Sequence, residues 1–361
     1  MELIKIHETA FEGDETILCA SPINANEWVM LVNSGRVIRY KASESSSKTV
    51  FNVKSMVSYS DGGFDLSAPS SIYIMDPVIV VVNDFKRHGV LSYPDKYHTI
   101  HFSREDYHAD ISRYPIALFK DEAGTPHLIY SAAWNHLQIM DLDTRRVLTA
   151  AKSLITENAE EEHIQFYTQF PEDNKLPWPA PYDYFFGQLI MSPDNKKFLS
   201  RGWAWGSSDA YNVYDVADFI NNSRISFKNI GYWEHSNRPA CWIDNTTVAV
   251  TYYPFEDEER DLSLGNSTQL HFYDVGQNKP TITKRLIFDG FEGMFSELYY
   301  CKKFDALISL HNEKGLIICN MKGEILLKDE FFKPGSFSPE LNLFITVNNK
   351  SVCVHKLDSI L

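Results

Sequence analysis

Short apolar runs alternate with turn chemistry along almost the whole chain. Glu27–Val32 (EWVMLV), an Asn33-Ser34-Gly35 turn and Arg36–Lys41 (RVIRYK) read as a hairpin, and residues 49–53 follow a Ser-rich loop. Runs at 78–82, 90–93 and 98–102 come next, then four at 116–119, 127–131, 137–142 and 146–150. The clearest unit lies in residues 188–216. An apolar run at 188–191 meets the turn Ser192-Pro193-Asp194-Asn195, a second run fills 196–201, and a third at 210–216 carries Tyr214-Asp215. A fifth group takes 240–243, 247–252, 269–275 and 282–288, and a sixth takes 297–300, 306–310, 315–321 and 324–328. The last group, 335–337, 343–347 and 351–356, has only three strands, and residues 2–7 (ELIKIH) are the natural donor of its fourth.

The third strand of each group sets the register, at Tyr40, Tyr93, Met140, Tyr214, Tyr273, Cys319 and His355. Seven units of about fifty residues match the period of four-stranded propeller blades. Tyr214-Asp215, Tyr273-Asp274 and Met140-Asp141 stand where Trp-Asp closes such repeats, and the chain resembles a WD-repeat-type seven-bladed β-propeller. The expected fold is all-β: one propeller domain over residues 1–361, built of four-stranded antiparallel blades. An N-terminal strand completes the last blade and hides two sheet edges at once. Two β-sandwiches are the alternative, but no Pro/Gly/Ser-rich linker divides the chain near its middle.

Blade topology sorts the connections onto two faces. First-to-second and third-to-fourth connections share one face, and there they are short: 192–195, 244–246, 302–303, 338–340, 143–144, 276–278 and 322–323. On the other face they are long: 54–70, 103–113, 152–185, 229–238 and 253–268. Binding residues concentrate on long loops held by a rigid scaffold, so the long-loop face is the expected working surface.

Three features of that face carry candidate chemistry. The insert at 152–185 begins with an acidic stretch, 157–163 (ENAEEEH), expected as a short helix. Its LPWPAPYDYFF run then presents Trp178, Tyr182 and Tyr184 on a proline-stiffened segment. Rigid aromatics suit a protein, peptide or sugar partner because little entropy is lost on contact; the structural alternative is a strap packed onto the propeller. In Arg201-Gly202-Trp203-Ala204-Trp205-Gly206, Trp203 and Trp205 share a side if extended. They are expected either to form a stacking platform or to pack under Trp178, with Trp233 and His235 close by. The third feature is a set of polar residues placed just before first strands: Asp65, Arg113, Asp183, Arg238 and Glu297. They are expected to ring the central channel mouth, either gripping a polar ligand or metal, or pairing to hold blades in register.

Composition narrows the partners. The 361 residues carry a formal net charge of −14 with no dense basic stripe, which argues against nucleic acid and against an anionic membrane surface. Aromatics at 14% suit pleated, half-buried surfaces. The five cysteines are widely spaced with no C-x-x-C pair, so no zinc site and no disulfide framework are indicated. Residues 256–259 (EDEE) lack the alternating spacing of a calcium loop. No G-x-S-x-G, H-E-x-x-H, P-loop or post-strand G-x-G-x-x-G occurs, and no cofactor is expected. No leader-like or membrane-spanning apolar run is present, so a cytoplasmic location is the default and the three Asn-x-Ser/Thr matches are chance. The leading expectation is a non-enzymatic interaction module that binds a protein or peptide through its long-loop face. The alternative is a propeller hydrolase or small-molecule binder working at the channel mouth.

Overall fold

The computed structural model describes all residues except 12–13, 55–58, 174–177, 206–207, 235–236, 253–267, 288–296, 312–313 and 360–361, and omits the side chains of Asp173, Tyr232 and Glu234. It is a seven-bladed β-propeller: seven separate four-stranded antiparallel sheets arranged in a ring. Blade 1 contains Ile17–Asn24, Glu27–Val32, Arg36–Lys41 and Ser46–Asn52. Blade 2 contains Ser70–Met75, Val78–Asn83, His88–Tyr93 and Tyr97–Ser103. Blade 3 is Ile116–Lys120, Pro126–Ala133, His136–Asp141 and Arg146–Val147, and blade 4 is Phe185–Met191, Lys197–Ala204, Ser208–Asp215 and Lys228–Glu234. Blade 5 is Ala240–Trp242, Thr247–Tyr252, Gln269–Asp274 and Thr281–Ile287, and blade 6 is Glu297–Cys301, Ala306–His311, Gly315–Asn320 and Ile325–Asp329. Blade 7 takes Ser336–Ser338, Leu343–Asn348 and Ser351–Asp358, and its outer strand is Glu2–Ala10, running from Glu2 opposite Asp358 to Ala10 opposite Ser351.

The core is divided in the same way. Seven clusters of buried apolar side chains each fill the wedge between two neighbouring blades. Because a middle strand is covered on both faces, it reads as an unbroken apolar run instead of an alternating one. Val78–Asn83 (VIVVVN) is buried at every position. Val80 and Val81 point to opposite wedges and are both fully buried, and each contributes about 1.5–3 kcal/mol.

Three strands depart from the sequence expectation. Ile17–Asn24 and Ser70–Met75 are inner strands that the apolar pattern misses, and residues 228–234, expected within a blade connection, form the outer strand of blade 4. Lys228–Glu234 pairs with Ser208–Asp215, Ser208 opposite Glu234. Its polar sequence, KNIGYWE, fits an outer strand that has a neighbour on one side only. A second correction concerns the face expected to carry only short loops. The third-to-fourth connection of blade 4 spans 216–227 and holds a short helix, Val216–Asn221, capped by the Asp215 carboxylate, which accepts from the Ala217 and Asp218 amides.

The insert lies against that connection. Ser153 N–H donates to the Ser223 carbonyl and Glu157 N–H to the Ile225 carbonyl, while the Arg224 guanidinium pairs with Glu160. The expected acidic helix is present as Ala159–Gln169. The chain then returns to blade 4 through the Tyr182 N–H, which donates to the Leu154 carbonyl.

Candidate functional site

At the long-loop end of the channel, side chains from several blades meet on one carboxylate. Glu297 opens the inner strand of blade 6. Its two oxygens accept from Arg113, which precedes blade 3, at 2.7 Å, and from Arg201, on the second strand of blade 4, at 3.4 Å. Arg113 also reaches Asp84, after the second strand of blade 2, at 3.7 Å, and Ser71 Oγ at 3.4 Å. Arg201 donates further to Gln188 and to the Asn237 carbonyl. Burial works against the Arg113 charge, yet Tyr73, Glu297 and Asp84 around it outweigh that cost and hold the guanidinium protonated beyond its ordinary range. Among the described residues these two guanidiniums and two carboxylates tie the mouth across.

Of the five residues expected at the mouth, the structure brings together Arg113 and Glu297. Arg238 is fully buried, its guanidinium carbon 5.5 Å from the Trp233 ring centre and 5.7 Å from that of Tyr252. Asp65 is turned into a local loop. One of its carboxylate oxygens accepts from the Ser67 amide at 2.9 Å and the Ser67 hydroxyl at 2.6 Å, and these bonds hold its pKa below the usual range. Asp183 lies beside Trp205, and partial burial raises its pKa against a hydrogen bond from that indole. Among the described residues no group of three or more His, Cys, Asp or Glu is placed to hold a metal ion. Sequence reasoning did not place Arg201 or Asp84 at the mouth; they sit in strand and loop positions with no pattern to mark that role.

Below this plug lies a cavity of about 850 Å³. Inner-strand residues such as Leu189, Cys241 and Tyr299 line it. Glu297 bounds one end, and the Pro193, Lys302 and Pro339 connections of the opposite face surround the other. Each inner strand is hydrogen-bonded on one side only, so its free backbone edge faces the channel axis.

The second constellation lies between blades 3 and 4. Phe185 and Trp203 stack face to face at 3.7 Å with planes 6° apart, and Trp134 packs on Phe185 at 4.4 Å. Trp205 meets Phe185 at 5.1 Å and His108 at 5.6 Å, and Tyr107 meets Trp205 at 6.2 Å. The sequence makes this possible through two glycines. A Cβ on Gly187 would lie 1.9 Å from the Arg201 carbonyl oxygen, and one on Gly202 would lie 2.3 Å from the Phe185 carbonyl oxygen. Only glycine lets these two strands approach so closely through the irregular register at their ends. Thus Gly202 serves strand packing, and Trp203 belongs to the strand Lys197–Ala204 instead of to a loop.

The loop that carries Tyr107 and His108 is braced from within. Arg104 is buried and donates to the carbonyls of Lys86, Ala109 and Ser112 at 3.0, 2.8 and 2.6 Å, with its guanidinium 4.8 Å from the Tyr114 ring centre. Burial lowers its pKa to about 10. The Ser112 hydroxyl accepts from the Trp203 indole at 2.9 Å, which fastens the loop to blade 4. On this frame Tyr107, Ile111 and Trp205 stay 48%, 57% and 51% exposed. Tyr107, Trp134 and Arg104 were not singled out from the sequence, although 103–113 was marked as a long loop; its aromatic pair was the available signal.

The other expected binding residues divide. Tyr182 and Tyr184 are buried and cannot present to a partner. The Tyr182 hydroxyl lies 2.6 Å from that of Tyr214 and accepts from Asn212 at 2.9 Å, and Tyr184 donates to the Ser200 carbonyl at 3.1 Å. Trp178 is exposed but sits edge-on against His163 of the insert helix at 4.3 Å, with no ring contact to Trp203 or Trp205 among the described residues. Trp233 packs on Tyr211 at 5.2 Å and faces Tyr273 at 6.4 Å, in the wedge between blades 4 and 5. His235 and the acidic run 256–259 lie outside the described residues. The single aromatic cluster expected between blades 3 and 5 is therefore three separate groups, of which the one around Trp205 offers both a rigid base and an exposed rim. No protein-family model matches this sequence, and no curated protein matches it.

Proposed function

We propose that this propeller is a non-enzymatic interaction module that engages a protein or peptide partner through its long-loop face. The observation that carries the proposal is the set Tyr107, Ile111 and Trp205, each about half exposed, with Tyr107 and Trp205 packed on Phe185 of the Phe185–Trp203 stack. Exposed aromatics locked by packing beneath them give contact area at low entropic cost, which is the anatomy of an interface anchor. The test is affinity capture from cell extract with the captured proteins identified. Tyr107→Ala with Trp205→Ala should lose the partners that the unaltered protein retains, with the melting temperature preserved. Full retention of those partners overturns the assignment of this patch.

A second reading, a small-molecule site, is favoured by the 850 Å³ cavity, whose size falls in the range of ligand pockets. A screen of small amphipathic molecules by thermal shift tests it. A stabilising hit that Leu189→Trp abolishes supports this reading, and the absence of any such hit removes it.

A further inference from the structure

The charges around the exposed aromatic rim point to what covers it. Glu105, Asp106 and Asp110 belong to the same exposed loop as Tyr107 and Ile111, and Asp183 stands beside the Trp205 indole. Among the described residues none of these four carboxylates takes part in an ion pair. Arg104 of the same loop is buried and directs its hydrogens to the carbonyls of Lys86, Ala109 and Ser112, so toward Asp110 it acts only through its charge. At the channel mouth, by contrast, both Glu297 and Asp84 have arginine partners. The rim thus combines half-exposed indole and phenol rings with carboxylates that form no ion pair among the described residues, in a protein whose net charge is already −14.

We infer that the partner segment seated on this rim is basic and arginine-bearing. The inference rests on the interaction reading above and specifies its partner. A guanidinium is planar and weakly hydrated. It can stack on Trp205 or Tyr107 while its edge hydrogens reach Asp106, Asp110 or Asp183, and an acidic or neutral segment gains neither contact. A lysine ammonium obtains the charge attraction with less stacking, so arginine is preferred over lysine.

The experiment uses the full-length protein and three labelled twelve-residue peptides of alternating serine with arginine, lysine or glutamate, followed by fluorescence anisotropy. The arginine peptide is expected to bind best and the glutamate peptide not at all. Tyr107→Ala with Trp205→Ala, and separately the triple variant Asp106→Asn, Asp110→Asn, Asp183→Asn, should each weaken arginine-peptide binding roughly tenfold. Attraction to net charge alone is controlled by Glu44→Gln, Glu122→Gln, Glu324→Gln, three carboxylates of the opposite face, which should leave binding unchanged. Equal loss in that control overturns the inference, as does equal binding of the glutamate peptide or no binding of the arginine peptide. If partner capture depends on Tyr107 and Trp205 but is indifferent to the Asp triple variant, the basic-partner inference fails while the interaction reading stands. If capture ignores all of these variants, both fail.

Discussion

The channel mouth and the aromatic rim lie on the same face, and both are built from residues at strand ends and long connections, yet they handle charge in opposite ways. At the mouth, Arg113, Arg201, Glu297 and Asp84 come from four blades and neutralise one another across the ring. At the rim, four carboxylates form no ion pair among the described residues around half-exposed rings, and Arg104 is turned inward to brace a loop. Paired charge at the centre holds blades in register. The proposed partner contact rests on the charge left unpaired beside anchored aromatics.

The sharpest way to break this contrast is at Glu297. Glu297→Leu removes the carboxylate shared by two largely buried guanidiniums and should cost about 3 kcal/mol in urea unfolding, the lower end for a broken buried ion pair because the carboxylate keeps some solvent contact and each arginine keeps another partner. A loss below about 1 kcal/mol would show that the mouth does not hold the ring together. In blade 5, burial first and then Arg285 and Arg238 lower the His271 pKa to about 4. Its folded value lies below its unfolded one, so its contribution is complete above pH 6.5 and is lost as pH falls from there towards 4. The expected loss is about 2–3 kcal/mol, and His271→Gln should flatten that part of the stability–pH curve.

On the rim side, Arg104→Met removes charge-assisted bonds to three carbonyls and should cost about 2 kcal/mol. Hydrogen exchange should localise the loosening to residues 105–112. The smallest stability effect is expected from Trp205→Ala, within about 0.5 kcal/mol, together with loss of partner capture. A large destabilisation there would make the exposed indole part of the fold and erase the difference between the two regions.

Most of the propeller was legible because blade interiors write themselves into the chain as apolar runs of regular spacing. All seven register positions, from Tyr40 to His355, fall on third strands, and the N-terminal strand closes blade 7 as expected. The elements that escaped are edge strands with weaker pattern. Ile17–Asn24 (ILCASPIN) even contains Pro22, tolerable where a strand needs no hydrogen bond on its axis side. Side-chain direction was harder to read than residue type. Trp205 and Tyr184 look alike as aromatic candidates, but one points to solvent and the other is held on Ser200 in the core. The Arg113–Glu297 contact joins residues 184 apart, a separation that no local pattern encodes.

The pairing of Glu2–Ala10 with Ser351–Asp358 has a consequence in time. On a ribosome, the first strand emerges about 340 residues before its partner, which at typical synthesis rates is a wait of roughly 20–70 s. Throughout that interval the segment ELIKIHETA is an unpaired β-edge, open to pairing with another chain. Its alternating charges, Glu2, Lys5 and Glu8, act as gatekeepers during the wait, and exchanging them for apolar residues should increase co-translational aggregation more than it alters the finished ring.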